Sequence, residues 1–273
     1  MKSKTASKIL RVLVYLATAI TVAMLAFLVG YILIKGIPYL TPDLFALEYT
    51  SENVSLFPAL VNTLLMTSLS LLIAVPLGIA TAIYLTEYAK RGNKLVEIVR
   101  ITAETLSGIP SIVYGLFGLL FFVTWLGWGY SILAGSATLS IMILPLIMRT
   151  AEEALKSVPD SYREASFGLG AGKFRTVSKI VLPSAVPGIL AGIILSVGRI
   201  VGETAALIYT AGTVAKLPEN LMSSARTLSV HMFNLSSEGF HTNEAYATAV
   251  VLLLIVLGIN ILSAAIAKRV AKV

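Results

Sequence analysis

The sequence predicts an all-α integral membrane protein with six transmembrane helices and both termini in the cytoplasm. Three observations lead there. Of 273 residues, 57% are hydrophobic and only 13% are charged, against roughly 25% charged in a soluble domain. The charges gather in clusters separated by uncharged runs, and a helix needs roughly 20 apolar residues to cross the hydrocarbon core. Finally, Lys and Arg fall almost wholly on alternate loops.

The crossings follow in order. Between Arg11 and Lys35 lies the run 12–34. Its basic leader (Lys2, Lys4, Lys8) is like that of a secretory signal. The apolar run is longer than the roughly 7–15 residues of a signal core, so an uncleaved first helix is expected. The second crossing, 59–85, lies between Glu52 and Glu87. Glu104 to Arg149 encloses 44 uncharged residues, too many for one crossing and about right for two. The Gly127-Trp128-Gly129 turn divides them into 109–126 and 130–148. The fifth crossing is 183–212 and the sixth 245–267, with a long loop, 149–180, between the fourth and fifth. The chain reads as a single domain, 1–273.

Orientation rests on the basic residues. With the N-terminus inside, 17 Lys and Arg lie in cytoplasmic segments and only Lys35, Lys216 and Arg226 outside. Arg199 lies within a crossing. The distribution accounts for the net charge of +7 through topology and anionic lipid, without nucleic acid. Prolines at 76, 145 and 187 fall inside crossings, where neighbouring helices can satisfy the freed backbone groups. Small residues at Gly115 and Gly118, and at Gly188 and Gly192, permit close helix contact. There is no cysteine, so disulfides and thiol chemistry are excluded. The only histidines, His231 and His241, both fall in the last outside loop, and no metal site is expected from them. The crossings hold no paired carboxylates and no nucleophile with a base, which argues against an enzyme. Asn62 and Thr63 open the second crossing as helix-packing polar residues or as donors lining a path.

The loop between the fourth and fifth crossings is the most informative stretch. Pro159 stops one helix, and Asp160 or Ser161 can cap the next. A short helix over 161–167 should end at Gly168 and Gly170, and a basic stretch, 173–180, leads to Leu182-Pro183. Such a helix-turn unit can dock in a groove of a soluble partner. Gly168 to Lys173 is only superficially like a phosphate-binding loop. It is one residue short, has Phe174 in place of Ser or Thr, and follows no strand. An ATPase must therefore be another polypeptide.

The spacing here resembles the EAA motif of ABC importer permeases: Glu164-Ala165-Ser166, then Gly170, then Ile180 and Leu182-Pro183. Ser166 stands where the family has a second Ala. The resemblance implies a type I (MetI-like) permease whose coupling helix sits in a cleft of the ATPase subunit. It carries that role onto Glu164, Ala165, Ser166, Gly168 and Gly170.

The fifth crossing holds Arg199 and Glu203, four residues apart and so expected on one helix face. Two readings stand. The pair can neutralise itself and hold helices together. Alternatively, Arg199 can offer its planar fork of donors to a tetrahedral oxyanion, with Glu203 holding it ready. The run Arg199, Gly202-Glu203-Thr204-Ala205 resembles the fifth-span signature of phosphate importer permeases. Ala205 is closer to their PstA-type subunit than to the PstC-type. Residues 106–115 and 149–155 also resemble stretches of these permeases. The resemblance implies a substrate path lined by Arg199, Glu203 and Thr204. It also implies residence in the inner membrane and a heterodimer with a PstC-like permease. The further partners are two ATPase subunits, which bind ATP and Mg, and a periplasmic phosphate-binding protein. No cofactor is expected in this chain. Other readings are a permease for molybdate or sulfate, the PstC-type subunit, and a channel working without an ATPase, which the EAA spacing opposes.

Overall fold

The computed structural model describes residues 2–90 and 92–270. Arg91 and Lys272, counted above among the inside charges, lie outside them. The described residues hold no strand. The helices are α1 (Lys2–Gly36), α2 (Phe57–Ile83), α3 (Lys94–Ser107), α4 (Ser111–Gly118), α5 (Ile132–Lys156), α6 (Asp160–Gly168), α7 (Lys173–Thr176), α8 (Leu182–Val201), α9 (Ala205–Thr210), α10 (Leu228–Glu238) and α11 (Thr242–Val270). π-helical turns extend α2 through Tyr84–Tyr88 and α4 through Leu119–Trp125, and Val177–Val181 joins α7 to α8. Among the described residues five stretches are long and apolar enough to cross a membrane, and a sixth crossing results if α3 and the extended α4, bent by 103° at their junction, are counted as one.

The core is α5, flanked by α2 and α8. Met66 of α2, Leu139, Met142, Ile143 and Ile147 of α5 and Ile200 of α8 form its middle. Towards the expected cytoplasmic end, Ala82, Ala151, Leu155, Ala185 and Ile189 continue it. Lipid tails are as apolar as these side chains, so close backbone contact and hydrogen bonds must hold the helices together. Both are present. A Cβ on Gly192 would lie 2.0 Å from Thr150 Oγ1, and one on Gly188 2.7 Å from Ala154 Cβ, so α8 presses directly on α5. Between α2 and α5, the Ser70 hydroxyl donates to the Ser136 carbonyl and Ser140 to the Ser70 carbonyl, both at 3.2 Å. By contrast, α1 shows only exposed side chains over most of its apolar length, and it meets the bundle at α11, where Tyr31 stacks edge-on to Tyr246.

Two elements differ from expectation. The connection before 109–126 is largely a helix, α3, started by the Asn93 side chain accepting from Leu95 N. Arg100 of α3 reaches the buried Glu152 of α5 at 2.6 Å, which fastens α3 across the bundle. The stretch 183–212 is not one helix. It breaks at Gly202–Thr204 and resumes as α9. The outer connections are also more ordered than a surface loop: α10 packs against α11, and Leu44, Leu56, Ala59, Leu228 and Ala247 form a small core at that end.

Candidate functional site

At the expected cytoplasmic end, α5 runs out at Lys156 and the chain turns at Pro159, whose extended backbone opens α6. Gly170, at φ +79°, makes the left-handed turn that ends the unit, as glycine does readily. Gly168 is instead the last helical residue, with ordinary backbone angles. Ser166, the departure from the EAA pattern, faces inward: its hydroxyl lies 2.8 Å from Thr176 Oγ1 and ties α6 to α7. Glu164, Ala165, Gly168 and Gly170 are exposed. Beside them stand the exposed apolar side chains Tyr162, Phe167, Leu169 (90% accessible) and Phe174. Exposed apolar side chains on a charged segment suit contact with either a protein or the membrane surface.

The second site is the break in the fifth crossing. The Glu203 carboxylate is buried, and its Oε1 accepts from Ala206 N at 3.0 Å, so it caps α9. The Glu203 carbonyl accepts from the Ser229 hydroxyl. Glu203 lies beyond the end of α8 at Val201. As a consequence Arg199 and Glu203 do not share a helix face, and no ion pair joins them among the described residues. Arg199 is half-buried near the end of α8, and among the described residues no carboxylate pairs with its guanidinium. Thr204 is the half-buried N-cap residue of α9, with no side-chain cap bond. The structure therefore separates the three path candidates: Arg199 lies on α8, Glu203 caps α9 and Thr204 stands at the start of that short helix.

Three sets of contacts could not be read from the sequence, although Asn62 and Thr63 stood out there as polar residues opening a crossing. Glu87, at the end of the α2 extension, pairs with Arg163 of α6 at 2.7 Å, both largely buried. Asn62 and Thr63 hold the external segment: Asn62 Nδ2 donates to the carbonyls of Lys216 (3.1 Å) and Arg226 (3.2 Å), and Thr63 Oγ1 accepts from Leu228 N at 2.8 Å. Arg226 and His231 are buried there, with the Arg226 guanidinium 4.6 Å over the Tyr49 ring. Burial first, and the Arg226 charge second, push the His231 imidazole down to about 3. Each depends on a partner far along the chain, which no local pattern announces. No group of three or more metal-binding side chains occurs among the described residues.

Residues 74–272 match the family described as binding-protein-dependent transport system inner membrane component. The chain is 36% identical to the probable ABC transporter permease protein YqgI of Bacillus subtilis, over 88% of this chain and 86% of the relative. It is 35% identical to the phosphate transport system permease protein PstA of Pasteurella multocida, over 94% and 93%. Among solved structures it resembles a chain of the alginate ABC transporter complex (TM-score 0.65, 18% identity, 94% and 96% covered). It also resembles one of the inward-facing MetNI methionine ABC transporter (0.62, 20%, 79% and 94%).

Proposed function

Because the chain belongs to the family of binding-protein-dependent transport system inner membrane components, we propose that this MetI-type ABC importer permease imports inorganic phosphate. It forms one half of a path across the inner membrane, paired with a PstC-like permease. Two ATPase subunits, which carry ATP and Mg, dock on α6, and an external binding protein delivers the anion. The observation that carries the substrate reading is Arg199: a guanidinium inside a crossing, with no carboxylate partner, suits a passing tetrahedral oxyanion. The relatives named for phosphate transport support it. For docking, the support is the exposed face of α6 with Glu164, Ala165, Gly168 and Gly170, and Ser166 as its internal tie. Motion of that helix, driven by ATP turnover in the partner, opens and closes the path.

The test is ATP-dependent uptake of radiolabelled phosphate by vesicles holding this chain, its co-encoded permease and ATPase, and the binding protein. Uptake that sulfate and molybdate fail to compete, and that Glu164→Lys abolishes, is the expected result. Absence of phosphate uptake, with ATP hydrolysis raised by a binding protein loaded with another anion, would keep the permease and overturn the substrate.

A further inference from the structure

The coupling surface of α6 and the external segment lie at opposite ends of the molecule, and one helix touches both through buried polar side chains. With its π-helical extension, α2 spans Phe57–Tyr88, 32 residues, or about 48 Å at the usual rise. At the inner end Arg163 makes the joint. Its Nη2 donates to Glu87 Oε1 at 2.7 Å and to the Leu155 carbonyl at 3.0 Å, and its Nη1 donates to the Val158 carbonyl at 2.7 Å. The side chains are 15% and 8% accessible for Arg163 and Glu87. One guanidinium thus fixes α6 both to the end of α2 and to the last turn of α5. Beside it lies a cavity of about 740 Å³, lined by Glu87, Lys90, Arg100, Lys156 and Arg163 among others, which leaves the joint room to change its angle.

The outer end has its own joint. Asn62 holds the carbonyls of Lys216 and Arg226, and Thr63 holds Leu228 N. Between the two joints α2 is kept in line by the serine bonds to α5 and by Gly78, which lets Ile147 of α5 sit against the α2 backbone. The helix runs on through Pro76. At the outer end α5 touches the same segment through backbone groups, Ile132 N and Leu133 N donating to Ser223 and Leu221.

We propose that α2 is a strut: the Glu87–Arg163 joint passes movement of α6 into it, and Asn62 with Thr63 pass that movement to the external segment 214–228. The four side chains are positioning residues, touching neither nucleotide nor transported anion. The proposal rests on the importer reading above and adds to it which contacts of this chain carry the motion. A rigid element with two arrangements, biased from both ends, is the physical form such coupling takes.

The test uses the complete complex and reads the stimulation of its ATPase by the binding protein, alongside assembly and basal hydrolysis. Glu87→Gln weakens the inner joint, and Thr63→Val removes the outer acceptor while keeping shape. Each is expected to assemble, to keep basal hydrolysis, and to lose stimulation roughly fivefold or more, the low end of measured coupling between sites. Glu87→Asp, which keeps the charge, should recover part of it. The two positions stand about 36 Å apart along the helix, and changes so distant ordinarily combine independently. In a strut they act in series, so the double variant should lose no more than the worse single one. Losses that multiply, normal stimulation in Glu87→Gln, or failure of Glu87→Gln to assemble would each overturn the proposal. A wild-type complex that no binding protein stimulates would contradict the importer reading and the strut together. Stimulation without phosphate uptake would overturn only the substrate.

Discussion

An arginine at the centre of a membrane crossing costs about 2.5–3.5 kcal/mol on insertion scales and less towards a helix end, and such residues face a bundle interior or a wet path. Arg199, in the last turn of α8, bears part of this cost, and among the described residues no carboxylate pairs with it, Glu203 being engaged with α9 and Ser229. His231 is the opposite case, a titratable group kept neutral. It lies on α10, outside the crossings, and its imidazole is pushed down to about 3. The unfolded chain, with an ordinary histidine near 6.5, binds a proton over the window from about 6.5 to 3 while the folded chain does not. The His231 contribution to stability should therefore fall as pH drops through that window, by on the order of 5 kcal/mol over its whole width, and stay flat above it. Thermal unfolding of the solubilised protein at pH 7.5 and 5 should show the drop, and His231→Leu should flatten its dependence on pH. Arg199 was legible as a functional candidate because a charge in an apolar run is conspicuous. The Glu203 contacts were not, because the helix break depends on Ser229, 26 residues further on.

At the scale of elements, the bundle is held by contacts that tolerate little bulk. Gly192 meets Thr150 at a distance no Cβ can share. Gly192→Leu should force α8 from α5 and cost at least the roughly 1–3 kcal/mol of overpacking, seen as a lower melting temperature and poor recovery of the complex. Gly258 of α11 has open space around it, so Gly258→Leu should melt within a degree or two of wild type. Equal effects at both positions would contradict the packing account. The gaps between charges mark the long apolar helices, although they do not show the break at Gly202–Thr204, and the helix-turn form of α6 and α7 follows from Pro159, Gly168 and Gly170. α3 could not be read, because its apolar positions are interrupted by Glu97, Arg100 and Glu104 and its place is set by the bond from Arg100 to Glu152.

For the whole molecule, the asymmetry of basic residues argues that α6 faces the cytoplasm and the 214–228 segment the outside. Absence of cysteine makes this directly testable. A single cysteine at Ser161 should react with a membrane-impermeant maleimide only in inside-out vesicles, and one at Asn220 only in intact cells. The reverse pattern would invert the topology and detach the docking assignment from α6.

The central claim, that a lone guanidinium in the fifth crossing serves phosphate passage, is tested most directly by Arg199→Gln in the reconstituted complex. The account predicts normal assembly and basal ATP hydrolysis with phosphate uptake reduced at least tenfold. Uptake at the wild-type rate in an assembled Arg199→Gln complex would contradict it and leave Arg199 a structural residue.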